Sequence, residues 1–353
     1  VLGEQHTCAR KPGGTVSCWG DDLSGQTGAG EPSDGGVVPE AQSVSGVIDA
    51  VDIAAGRSHT CVARRTGGVL CWGYNLDGQL GNGESANVRP TPVVALGLTG
   101  AVAVAAGGNF SCALRANGTV ACWGGNGSGQ LGKGDQNPTL TPALVPDLTG
   151  AIAIAAGQAH ACVVKSDGAV ACWGDGLNGQ LGSGQAASRS SPLTVDQLPE
   201  AVMVAASDRS TCALTRANSV YCWGANELGQ LGTGAPNANP NPRPIVVANL
   251  NDATHLAMGK NHACALRKSG RVACWGAGGR GQLGDGPDGG GAQAAIVPVV
   301  DLQIAASVGA GGEHSCATTA ASAILCWGAN DRGQLGTGNV TSSRLPVSVL
   351  DFP

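Results

Sequence analysis

AVAVAAGGNFSCALRANGTVACWG, residues 101–124, contains in one unit the pattern that organises the whole chain. An Ala/Val-rich run, AVAVAAG at 101–107, precedes two further short runs, FSCAL at 110–114 and TVACWG at 119–124. Short apolar runs punctuated by Gly and Asn read as strands. If Cys112 faces Cys122, then Ala113 faces Ala121, Leu114 faces Val120 and Arg115 faces Thr119, leaving a three-residue loop that ends at Gly118. Such a loop closes on a residue in the left-handed region, which favours Gly or Asn. Counting outward from it, the cysteine pair falls on a non-hydrogen-bonded site where Cα atoms approach to about 4.5 Å. That separation is within disulfide range.

The unit recurs. Cys-Trp-Gly begins at Cys18, Cys71, Cys122, Cys172, Cys222, Cys274 and Cys326, and each copy has a partner cysteine ten residues upstream, which accounts for all 14 cysteines. The third loop residue is Gly14, Gly67, Gly118, Gly168, Asn218 and Gly270, with Ser322 the one departure. A Gly-Gln-x-Gly segment and a proline-led run, such as Pro142 to Val145, complete each repeat. Four short strands repeated seven times predict an all-β, seven-bladed β-propeller with about four antiparallel strands per blade, spanning 1–353 as one domain. The first repeat keeps only Val1 to Gly3 of its Ala/Val-rich strand, so ring closure requires the two ends to be neighbours, with the proline-led run 346–350 beside the first blade.

Constant cross-strand spacing and an even count favour disulfides within each repeat: Cys8 with Cys18, Cys61 with Cys71, Cys112 with Cys122, Cys162 with Cys172, Cys212 with Cys222, Cys264 with Cys274, and Cys316 with Cys326. A metal reading is weaker. His-x-Cys recurs at His6, His59, His160, His262 and His314, but the histidine position is Phe110 and Ser210 in two repeats, and no fourth ligand or Cys-x-x-Cys knuckle is present. These histidines, and the Gln of every Gly-Gln-x-Gly, read as structural hydrogen-bonding groups. Disulfides place the protein in an oxidising compartment: extracellular, cell-surface or periplasmic.

Composition narrows the function classes. A net charge of −5 with scattered Lys and Arg offers no stripe for phosphate neutralisation, so nucleic acid is not expected as a partner. No apolar run reaches the ~18 residues of a membrane span. No cofactor motif, nucleophile site or paired-carboxylate motif interrupts the repeat, which argues against catalysis.

The motifs A-A-G-x-x-H-x-C-A-L, x-G-x-V-x-C-W-G and G-Q-L-G-x-G resemble the repeats of the regulator-of-chromosome-condensation propeller family over essentially the whole chain. The resemblance implies a seven-bladed propeller. Members of that family promote nucleotide exchange on a small GTPase and bind chromatin, inhibit β-lactamases, or serve as recognition modules in larger chains. Its usual pattern lacks cysteine at the two hairpin positions, so this sequence looks like an extracytoplasmic variant.

Strand direction puts the Gly-x-x-His turns and the segments after Cys-Trp-Gly at one end of every blade, where the residues differ from repeat to repeat. Positions that diverge on a repeating scaffold are where specificity can reside. The expected interaction face comprises Arg57, Tyr74, Asn109, Gln158, Asp175, Asp208, Arg209, Lys260, Asn261 and Glu313. Longer loops are expected at 31–38, 236–243 and 287–295. The reading is a monomeric, non-catalytic recognition propeller, free or within a larger chain, that binds a protein or other macromolecule. A regulator of an enzyme or small GTPase is the alternative, and a carbohydrate-binding propeller the third.

Overall fold

The computed structural model describes residues 1–30, 35–85, 88–350 and 352. Every described strand belongs to one of seven antiparallel sheets, arranged as seven blades around a central channel. Blade 3 is representative. Its strands Ala101–Ala106, Phe110–Arg115, Val120–Gly124 and Thr139–Leu144 run in order from the axis to the rim. The Ala/Val-rich strands line the channel, where small side chains allow six inner strands and the N-terminal residues of the first blade to crowd one axis. Six sheets have four strands and the first has three, supplemented by an isolated bridge between Leu2 and Thr7.

The hairpin register is the one the loop length requires. Cys122 pairs with Cys112, Ala121 with Ala113 and Val120 with Leu114. All seven expected disulfides are present, with Cα–Cα separations of 4.0–4.1 Å, and no cysteine is free. The closing loop residue has positive φ in every blade, including Asn218 at 64° and Ser322 at 65°.

The proline-led strand begins earlier than its proline, at Thr139 in blade 3. A bulge opposite Trp123 separates the pairs Cys122–Ala143 and Gly124–Thr139. The Val145 N–H points inward to the Val120 carbonyl, so alternate residues, Pro142 among them, direct their amide position outward. The same parity holds for Pro92, Pro192, Pro244, Pro298 and Pro346. Proline is tolerated there because an outward amide has no ladder partner to lose. This also corrects one expectation: 236–243 is not a loop, since Asn237–Val246 forms a ten-residue outer strand paired as far as Asn226. Its prolines at 240, 242 and 244 alternate, leaving the intervening residues free to pair. Of the other expected loops, 31–34 lies outside the described residues.

Adjacent blades are joined by a repeated set of buried contacts. Each Trp is fully buried and donates its indole N–H to the main-chain carbonyl of the Gly-Gln-x-Gly glutamine one blade back, as in Trp123 to Gln79 at 2.8 Å. The Gly132 side of the next seam shows why glycine follows: a Cβ there would lie 2.8 Å from Trp173 Nε1. Each hydrophobic cluster likewise combines the disulfide of one blade with the Trp of the next; Cys112 and Cys122 pack with Trp173. The ring closes in the same way. Trp19 packs with Cys316, Cys326 and Leu335, its indole N–H reaches Gln334 O at 3.0 Å, and Gly338 N–H reaches Pro39 O at 3.0 Å. The last strand, Ser343–Ser348, stays in its own sheet, and the ends are neighbours across this seam.

The five expected structural histidines span the seams. His6 Nε2 lies 2.9 Å from Thr60 Oγ1, His59 2.9 Å from Ser111, His160 2.8 Å from Thr211, His262 2.8 Å from Ser315, and His314 2.8 Å from Thr7. Each hydroxyl donates its one proton to a glutamine main-chain carbonyl, Thr60 to Gln26 at 2.9 Å for example. The imidazole must therefore donate from Nε2, which leaves Nδ1 unprotonated. Where the histidine is replaced the hydroxyl is missing as well: Phe110 faces Ala161's blade and Ser210 faces Ala263's.

Candidate functional site

Five Gly-x-x-His turns, the equivalent turns ending at Phe110 and Ser210, and seven post-Trp segments do share one end of the ring. The residue before the histidine position accepts, through its carbonyl, the N–H two residues beyond the tryptophan: Ser58 from Tyr74 at 2.8 Å, Asn109 (before Phe110) from Gly125 at 2.9 Å and Asn261 from Ala277 at 2.8 Å. The turns are also joined to one another. Arg57 N–H reaches Gly107 O at 3.2 Å, Gly108 reaches Gln158 O at 3.0 Å, and Gly312 reaches Gly3 O at 3.1 Å across the closure. Glycine permits this approach, because a Cβ at Gly56 would lie 2.4 Å from Gly107 O and 2.6 Å from the His59 ring.

These turns narrow the axial mouth to about 80 Å³. Around it, Glu4 is held between Arg57 Nε at 3.0 Å and Lys260 Nζ at 2.8 Å. The Lys260 ammonium is pushed above its usual range, chiefly by its hydrogen bond to Glu4. Burial raises the Asp208 carboxyl, against the opposing pull of Lys260. The mouth is thus a compensated cluster of two acids and two bases. Glu4 is the member the expected face left out, although its opposite charge to Arg57 and Lys260 at equivalent turn positions was visible in the sequence.

Four of the ten expected face residues converge elsewhere. Arg57, Tyr74, Asn109 and Gln158 line one groove of about 600 Å³ that crosses blade 3 between blades 2 and 4. Its remaining walls include Asp77, Ser128 and Gln130. Of the other six, Asp208 and Lys260 sit together at the mouth and the rest are dispersed. Asp175 is occupied by its own loop, accepting from Gln180 Nε2 at 2.8 Å and Ser188 Oγ at 3.2 Å. Arg209 forms a two-pronged pair with Glu227 at 3.2 and 3.1 Å. Glu313 lies 3.8 Å from Arg280, and Asn261 is half-buried on the blade 6 turn. The glutamines behave as structural groups, each side-chain oxygen accepting the N–H two residues upstream, Ser128 to Gln130 at 2.8 Å for instance.

The five seam histidines are fully buried, and desolvation lowers them to about 3 at His6 and His314 and about 4 at His59, His160 and His262. Their Nδ1 atoms have no hydrogen-bond partner among the described residues, so a second proton would have no acceptor. Among the described residues no group of three or more His, Cys, Asp or Glu side chains is placed to hold a metal ion, and no helix is long and apolar enough to cross a membrane.

Fold and face together define a disulfide-bonded propeller whose hairpin end keeps one loop length and closing conformation and whose other end carries turns and loops that differ in residue and length. The chain belongs to the Regulator of chromosome condensation (RCC1) repeat family: one profile of that repeat matches residues 66–114, 117–164, 167–214, 218–266 and 323–353, and a second matches 50–79, 101–130, 151–180, 202–230, 253–282 and 305–334. It is similar to the human probable E3 ubiquitin-protein ligase HERC6, 33% identical over 137 residues, which are 38% of this chain and 13% of the ligase. Its fold matches human WBSCR16 at a TM-score of 0.85 with 23% identity, covering 95% of this chain and 94% of that one. It also matches Prp20p from Saccharomyces cerevisiae, a protein studied for its binding to Gsp1p and histones, at a TM-score of 0.83 and 23% identity, covering 100% and 87%.

Proposed function

We propose that the chain is a non-catalytic recognition propeller that binds a protein through its diverse loop face, in an oxidising compartment outside the cytosol. The observation that carries this reading is the groove of about 600 Å³ on the face whose turn and loop residues change from repeat to repeat, on a scaffold whose opposite end is built from hairpin loops of one length and one closing conformation. Rigid scaffolds carry specificity on such loops. Seven disulfides, all satisfied within single blades, suit secretion or surface display. Protein partners of a related propeller, Gsp1p and histones for Prp20p, support a protein ligand and keep open a regulatory outcome in which the bound protein is an enzyme or GTPase.

The test is capture from the native source's extracellular or periplasmic fraction with the oxidised protein as bait. Variants Arg57→Ala, Arg209→Ala and Glu313→Ala should lose the captured partner with unchanged melting temperature, whereas Lys11→Ala, Asn117→Ala and Lys268→Ala on the hairpin end should retain it. Loss from the hairpin set alone would assign binding to the other end.

A further inference from the structure

The geometry points to a defined ligand for the groove over blade 3: an extended loop of a partner protein, with an acidic side chain at the axial end and a basic side chain toward the rim. This rests on the recognition reading above and adds the chemistry of the partner.

The groove exists because of what blade 3 lacks. At three loop positions that overhang the face, blade 2 carries Arg57, Tyr74 and Leu76, and blade 4 carries Gln158, Asp175 and Leu177; blade 3 carries Gly108, Gly125 and Gly127. No other repeat has glycine at all three. Two full blades thus wall a bare one, and the flanking Leu76 and Leu177 are 49% and 67% exposed. Tyr74 adds a half-buried aromatic wall.

The trough is polarised along the blade radius. Arg57 comes from the turn between the inner and second strands and lines the axial mouth as well as the groove. Glu4 holds its Nε at 3.0 Å, and its terminal guanidinium nitrogens bond to none of the described residues. The charge of Glu4 is itself compensated by Lys260 at 2.8 Å, so Arg57 offers an oriented, unfilled donor pair suited to a carboxylate. Asp77 follows the third strand, farther from the axis, and its carboxylate makes no hydrogen bond or ion pair to the described residues.

Between these ends the groups are donors. Asn109 Oδ1 accepts from Gln130 Nε2 at 3.4 Å, which leaves its Nδ2 for a ligand. The Gln158 side chain lies across Gly108, where a Cβ would be 2.9 Å from its Cδ. Amide donors beside the glycines of blade 3 suit the carbonyls of an extended backbone, and a flat main chain is what so narrow a floor admits.

A phage-displayed library of random constrained loops, panned on the oxidised protein, tests this. Enriched loops should carry one acidic and one basic residue at constant spacing. Arg57→Glu and Asp77→Lys should each weaken an enriched loop about tenfold or more. The double variant should regain binding for the same loop with its two charges exchanged, and Lys268→Glu on the hairpin end should change nothing. Asp77→Lys keeps the test decisive if Arg57→Glu disturbs the mouth beside Glu4. Absence of enrichment, loops with no charge order, or binding indifferent to both substitutions would overturn the proposal. So would a glycan-array signal lost in Tyr74→Ala with no loop enriched, which would make the groove a saccharide site. Native capture abolished by Arg209→Ala and Glu313→Ala but not by Asp77→Lys would leave the recognition face standing and remove the groove from it.

Discussion

Lowering the pH from about 7.5 to about 5 should cost this propeller on the order of 10 kcal/mol of folding stability while leaving its disulfides intact. The perturbation acts on the five seam histidines, held at about 3 or 4 in the folded ring against 6.5 in the unfolded chain. Their folded values are depressed, so the unfolded chain takes up protons first and the native state loses stability as pH falls below 6.5. At about pH 5 each histidine contributes a loss of about 2 kcal/mol, and five together about 10 kcal/mol, comparable with the whole stability of an ordinary domain. Buried Asp21 and half-buried Asp52 and Asp208, all raised chiefly by desolvation, work in the opposite direction, each favouring the folded state as pH falls through its raised value. The assay is urea unfolding followed by fluorescence of the seven buried tryptophans across this pH range, with proton uptake measured in parallel. Unfolding at about pH 5 should take up roughly four to five protons through the histidines. A urea midpoint that does not move, or NMR signals assigned to the seam histidines titrating near 6.5 in the folded protein, would refute the reasoning.

Other outcomes follow from the same geometry. Replacing one disulfide, Cys162 and Cys172 both to Ala, should cost about 2.5–3 kcal/mol by the chain-entropy estimate for so short a loop, read from urea midpoints; a loss below about 0.5 kcal/mol would count against it. Ser322→Gly should stabilise by about 1 kcal/mol, since serine at φ 65° occupies a conformation that suits glycine, and an unchanged melting temperature would contradict this. Deleting 344–353 removes the outer strand of blade 7 and the Phe352 ring that sits 6.3 Å from Trp19; it should cause self-association in sedimentation, and a monomer with wild-type melting would show the strand to be dispensable. At the two seams without a histidine–hydroxyl bond, Phe110 to Ala161 and Ser210 to Ala263, hydrogen exchange should be fastest, and uniform protection around the ring would contradict that.

The architecture was legible because it is written locally. A three-residue loop, a ten-residue cysteine spacing and a glycine at the loop's end set register, disulfide and turn conformation within one hairpin, and the seven copies repeat the information. The seam bonds were only half legible. That His160 is structural could be read from its recurrence, but its partner Thr211 lies in the next repeat, and only pairing each histidine with the following copy's hydroxyl exposes the match. The face was least legible. Arg57, Tyr74, Asn109 and Gln158 converge, whereas Asp175 is absorbed by its own loop, a difference set by which neighbours each side chain finds rather than by its position in the repeat. The groove escaped notice because its signal is negative: Gly108, and Gly125 and Gly127 in CWGGNGSGQ, look like ordinary turn residues until their neighbours are seen to overhang them.

The outward-facing prolines of the rim strands have a further consequence for crowded surroundings. A propeller displays the unpaired edge of every blade around its circumference, and each edge is an invitation to hydrogen-bond with the next molecule. With Pro92, Pro142, Pro192, Pro244, Pro298 and Pro346 each withholding an amide donor there, six of the seven edges cannot complete an intermolecular ladder at that position. Copies at high density would therefore jostle side by side without zipping into sheets, and lasting contact would be reserved for the two flat ends of the disc.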